Sequence, residues 1–170
     1  PRGRALGVTM TLPNEDQLSM TRTEMLQRIV MMMGGRVAEE IAMNSITGGA
    51  AQDLKQATKL ARHMVCDLGM SEEMGPVSWN EDEGEVFLGR QMSQSRTYSE
   101  QTARRIDDEV KHILTRGYEA AKDILQQNVH VLHSVAQQLL ETESLDGAEF
   151  EALVKRAGPI PPANLAWMGV

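Results

Sequence analysis

The sequence predicts a mainly α-helical fold, and three observations carry that reading. Long stretches repeat apolar residues at the three-and-four spacing of a helix face. Several of them open on a residue suited to capping a helix, Thr21, Ser99 or Asp146. Against these, one stretch, Leu6 to Leu12, alternates clearly at the two-residue period of a strand. At 170 residues the chain is long enough to bury a real core. A formal charge of −7 and 4% aromatic residues are the opposite of a basic, stacking-rich surface, so no nucleic-acid partner is expected. The lone Cys66 cannot close an internal disulfide and reads as a small apolar core residue of a reduced, intracellular protein. No apolar run is long enough to span a bilayer and no signal peptide opens the chain, so these residues are expected to be soluble.

Taken in order, Leu6, Val8, Met10 and Leu12 predict a short N-terminal β-strand, ended by Pro13 and followed by a polar loop through Gln17. Thr21 and Glu24 have the spacing of a capping box. Behind them Met25, Leu26, Ile29, Val30, Met33, Val37 and Ile41 predict a helix of roughly 20 residues. Five methionines, Met20, Met25, Met31, Met32 and Met33, crowd this region and suit the filling of an irregular helical core better than a binding groove. Gly34-Gly35 lies inside the helix, costs about 1 kcal/mol per glycine relative to alanine, and suggests that another backbone approaches there. Of Glu39 and Glu40, at least one reads as a solvated helix end.

Gly48-Gly49 breaks the chain, and a second helix follows to about Asp67, with Gly69 as its C-cap. Asp53 is the odd residue of this helix: its face continues through Ala57, Leu60, Ala61 and Met64, so a carboxylate opens an apolar stripe. Two readings stand side by side. An acid in the first turn complements the helix dipole, and an inward carboxylate held at a helix start suits a metal ligand or catalytic group. Residues 77–79 and 85–88 flank an acidic turn and predict a small hairpin near 77–88, the acidic run itself being a solvated loop.

Ser99 caps the longest helix, expected over 99–127 with a stripe from Ala103 through Ile106, Val110, Ile113, Leu114, Gly117 and Ala121 to Ile124 and Leu125. The chain is expected to bend near Asn128. A shorter helix carrying Leu132, Val135, Ala136, Leu139 and Leu140 follows, then a last one capped by Asp146 and bearing Phe150, Leu153 and Val154. His130 and His133 stand three apart but have no acid or cysteine beside them, so they read as surface or core-edge residues rather than metal ligands. From Ala157 proline density predicts an extended tail, ordered only if Leu165 and Trp167 find a groove. The expected organisation is one domain over 1–156 and a Pro-rich tail over 157–170.

Four strings are distinctive together: Gly34-Gly35-Arg36-Val37-Ala38-Glu39-Glu40; Gly48-Gly49-Ala50-Ala51-Gln52-Asp53-Leu54 with Ala57-Thr58 and Ala61-Arg62; Gly69-Met70-Ser71; and Glu85-Val86-Phe87-Leu88-Gly89. In order and spacing they closely resemble the peptidase domain of the FtsH family, membrane-anchored ATP-dependent zinc metalloproteases, over about residues 1–156. The resemblance implies a helical peptidase-domain fragment. In the family two histidines of a His-Glu-x-x-His helix and an aspartate from a later helix hold zinc, and the motif glutamate acts as general base. Asp53 matches the aspartate.

No His-Glu-x-x-His occurs in the 170 residues. The resemblance places that motif before the position matching Pro1, along with the transmembrane segments and the separate ATPase domain that binds ATP. The expectation is therefore a C-terminal fragment with no catalytic residue of its own, inactive alone. The implied enzyme degrades unfolded or membrane proteins, assembles as a homo-hexamer, and sits in the inner membrane with its peptidase domain on the cytoplasmic side. The strand at Leu6, Gly7, Val8, Thr9 and Met10 can offer a free edge to an extended substrate. A second function class is a helical oligomerisation module with no catalytic role.

Overall fold

The structure is a computed structural model that describes residues 19–80, 98–158, 160–161 and 165–168. Among them the chain forms five helices: α1 (Arg22–Met43), α2 (Ala51–Cys66), α3 (Glu100–Gln127), α4 (Val129–Thr142) and α5 (Gly147–Ala157). A single 3-10 turn follows over Ala166–Met168. The helix starts follow capping chemistry. Thr21 and Glu24 form a reciprocal capping box, the Ser99 hydroxyl accepts from the Thr102 N–H, and Asp146 with Glu149 repeats the box at α5. Gly69, with φ +58°, turns the chain after α2; a Cβ there would stand 2.9 Å from the Pro76 Cα, so only glycine fits this turn.

The core lies where α1, α2 and α3 meet. Leu26, Ile29 and Val37 of α1, Ala57, Ala61 and Met64 of α2, and Ile106 of α3 are closed to solvent, with Met33, Val110 and Ile113 nearly so. The predicted stripes of these helices are therefore their packed faces. Of the crowded methionines, Met25 and Met33 fill the core, while Met31 is exposed. Cys66 is buried in the same cluster, and burial pushes its thiol above the usual range, which leaves it a poor nucleophile.

Helices α4 and α5 pair mainly with each other. Val131 alone among their described residues is buried, and Leu140 and Phe150 are exposed. The bend at Asn128 is stabilised by its amide, which donates to the Ile124 carbonyl at 2.8 Å as α3 ends. The 3-10 turn returns to the core. Met168 is buried, Leu165 and Trp167 pack against the core cluster, Arg22 reaches the Met168 carbonyl at 3.3 Å, and the Arg116 guanidinium stands 5.7 Å from the Trp167 ring centre.

One expectation is corrected here. No strand occurs among the described residues; the stretch Leu6–Leu12 and the second limb of the hairpin lie outside them. The first limb, 77–79, is irregular because its backbone has another partner: the Trp79 N–H donates to the Cys66 carbonyl at 2.7 Å, closing the end of α2. The Trp79 ring meets Tyr98 edge-on at 6.2 Å. No described backbone comes within 4 Å of where a Gly34 or Gly35 Cβ would stand. The close approach is at Gly117 of α3, where a Cβ would stand 2.8 Å from Ile29 Cγ2.

Candidate functional site

Asp53 occupies the first turn of α2, whose N-cap, Ala50, makes no side-chain hydrogen bond. Its side chain is half-buried and lies towards α1: the Cβ position of Gly35 is 3.9 Å from Asp53 Oδ2. Among the described residues no hydrogen bond or ion pair is made to that carboxylate. Ala57, Ala61 and Met64 continue the same face into the core. The carboxylate thus lies at the rim of the packed face, oriented by its helix.

The loop leading into α2 is held from α1. The Glu39 carboxylate accepts the Thr47 N–H at 3.1 Å and the Thr47 hydroxyl at 2.7 Å. The Thr47 oxygen in turn accepts the Gly49 N–H at 3.1 Å. Gly49 is closely faced by this pair: a Cβ there would stand 3.1 Å from Glu39 Oε1 and 3.2 Å from Thr47 Oγ1, tight enough to displace them by a few tenths of an ångström. The two Thr47 donors hold the Glu39 carboxyl below the usual carboxylate range. Glu40 faces α3, where it accepts hydrogen bonds from the Tyr118 hydroxyl and from Lys122 Nζ. Neither glutamate is merely a solvated helix end.

Asp53, Gly35 and Glu39 therefore converge, as three parts of one helix–loop–helix contact. Thr47 is the residue that sequence reasoning missed; the available signal was a hydroxyl two residues before a glycine at a helix start, the spacing of a local turn. His130 is exposed on α4, as is His133. Leu6, Gly7, Val8, Thr9 and Met10 lie outside the described residues. Chemically, a carboxylate that no described cation claims fits one position of a zinc shell. Among the described residues no group of three His, Cys, Asp or Glu could hold a metal, so they fit a contributor to a centre and not a whole one.

Comparison with known proteins first gives the class, a peptidase. The sequence model described as Peptidase family M41 matches residues 1–153. The chain belongs to that family, and its relatives are FtsH proteins. It is 50% identical over 149 residues to the ATP-dependent zinc metalloprotease FtsH of Magnetococcus marinus, covering 88% of this chain and 22% of that protein. With the protein of the same name from Myxococcus xanthus it is 46% identical over 169 residues, 96% of this chain and 26% of the relative. With that of Thermotoga maritima it is 46% identical over 155 residues, 91% and 25% of the two chains. The chain spans about a quarter of the length of these curated relatives. No described helix is long and apolar enough to cross a membrane.

Proposed function

We propose that these residues form the C-terminal part of the peptidase domain of an ATP-dependent, membrane-anchored zinc endopeptidase, and that Asp53 is its third protein ligand to zinc. The observation that carries this reading is the half-buried Asp53 carboxylate, without a described partner, at the start of α2. It stands within Gly48-Gly49-Ala50-Ala51-Gln52-Asp53-Leu54, in a chain of the M41 family. Zinc, when bound, supplies Lewis-acid activation for amide hydrolysis. Asp53 contributes an anionic oxygen donor in a fixed orientation, and the absence of a side chain on Gly34 and Gly35 keeps the adjoining face of α1 clear for the histidine-bearing helix. The backbone of Leu6, Gly7, Val8, Thr9 and Met10 offers main-chain hydrogen bonds to an extended substrate, which places selection in unfolded backbone rather than in a side-chain pocket. Substrates are unfolded or membrane proteins. The enzyme works as a homo-hexamer at the inner membrane with this domain on the cytoplasmic side, and ATP is used at a separate ATPase domain.

Asp53→Asn in the full-length enzyme tests the reading. As a ligand substitution it abolishes zinc retention and proteolysis while ATP hydrolysis and assembly persist. As the loss of a helix-dipole acid it costs less than ~1 kcal/mol and leaves both intact. The 170 residues alone are expected to leave casein undigested, because the general base and the histidine ligands are not among them; chelator-sensitive digestion would contradict this. A second reading, an assembly module, is favoured by the exposed Leu140 and Phe150 of the α4–α5 pair. It predicts that Leu140→Ser changes oligomeric state and leaves zinc content alone.

A further inference from the structure

The start of α2 lacks a cap of its own. Ala50 has no side-chain oxygen with which to cap the first turn, yet that turn carries Asp53, whose usefulness as a ligand depends on a fixed direction. The structure places the missing restraint outside the helix. Gly35 and Glu39 are one turn apart on α1 and so share a face. That face meets the α2 entry at two points, Asp53 over Gly35 and Thr47 on Glu39. Glu39 takes both Thr47 donors, and the Thr47 oxygen passes the restraint to Gly49. The Ala51 N–H, bonded to the Gly48 carbonyl at 3.1 Å, joins this short turn to the helix.

We infer that Thr47, clamped by Glu39, is a positioning residue that fixes the direction of the Asp53 carboxylate; the inference rests on the reading of Asp53 as a zinc ligand. The hydroxyl is the working part. It donates to Glu39 and accepts from Gly49 at once, a combination that serine can reproduce and valine, of the same shape, cannot. Thr47 is exposed, so replacing its hydroxyl with a methyl group opens no core cavity.

The test compares Thr47→Val, Thr47→Ser, Glu39→Gln and Asp53→Asn in the full-length enzyme. Zinc affinity is read by competition with a chromophoric chelator, and ligand geometry by the visible absorption of the cobalt-substituted enzyme. Thr47→Val is expected to weaken zinc by roughly 10–100-fold, the usual effect of removing an outer-shell partner, and to shift the cobalt bands. Thr47→Ser restores both. Glu39→Gln, with one acceptor oxygen in place of two, falls between. If Asp53→Asn loses zinc while Thr47→Val keeps wild-type affinity and cobalt spectrum, the positioning role is overturned and Asp53 remains a ligand. Equal losses in Thr47→Val and Thr47→Ser also overturn it, because the hydroxyl is then not what matters. If Asp53→Asn keeps its zinc, both readings fall together.

Discussion

Glu40 and Gly117 join α1 to α3 by different means, one through charge and the other through the absence of a side chain. The Tyr118 hydroxyl and the Lys122 ammonium hold the Glu40 carboxyl below its ordinary value of 4.5. The same bonds raise Tyr118 and Lys122 above their ordinary 10.0 and 10.5. The signs follow by linkage. The Glu40 contribution to stability is fully present above about 4.5 and is lost as pH falls through the depressed folded value. The Tyr118 and Lys122 contributions are present below about 10 and are lost as pH rises through the raised ones. Urea midpoints against pH should therefore lose a component at each end in Glu40→Gln; an unchanged profile would remove the cluster from the stability balance. Gly117→Ala forces a Cβ to 2.8 Å from Cγ2 of the buried Ile29, and overpacking of this kind costs ~1–3 kcal/mol. Gly34→Ala meets no described atom within 4 Å, so it should stabilise these residues by ~0.5–1 kcal/mol through backbone entropy and helix propensity. Equal effects at the two glycines would show that the contact at Ile29 does not bear on stability.

At the level of elements, each cap is a separable quantity. Thr21→Ala and Ser99→Ala remove the side-chain acceptors at the starts of α1 and α3. Each should lower stability by about 1 kcal/mol with no change in helix content of the native state; thermal melts followed by circular dichroism check this. Helices α4 and α5, with so little buried, should exchange their amide hydrogens well before α1 and α3. All five helices were legible, because capping residues and the 3.6-residue period are local signals: Ser99 and Asp146 mark helix starts whatever lies elsewhere in the fold. The first hairpin limb was misread because extended segments depend on distant partners, and Trp79 bonds to the end of α2 instead of a neighbouring strand. Close approach at a glycine has the same dependence on distant partners. Nothing near Gly34 in sequence says what stands opposite it, whereas Gly117 sits in an ordinary apolar stripe whose partner, Ile29, is remote. Of the candidate site, Asp53 was visible as a violation of its own stripe. Thr47 was not, since its partner Glu39 belongs to another helix.

On the scale of the whole molecule, three helices form the body and the 3-10 turn closes one end of it. Deleting residues after Gly158 removes Met168 and Trp167 from that end; burying one such side chain is worth about 1.5–3 kcal/mol, so the truncated chain should melt at a lower temperature. An unchanged melting temperature would mean that the turn adds nothing to the body. The packing of α1 against α3 has a further side, which belongs to synthesis rather than to the finished fold. Tyr118 follows Glu40 by 78 residues, and at ~5–20 residues per second the ribosome needs roughly 4–16 s to cover that distance. During that interval Leu26, Ile29, Met33 and Val37 have emerged with no α3 to cover them. The nascent chain therefore presents an apolar ridge for seconds, long enough for a chaperone to bind it before its own partner helix has been made.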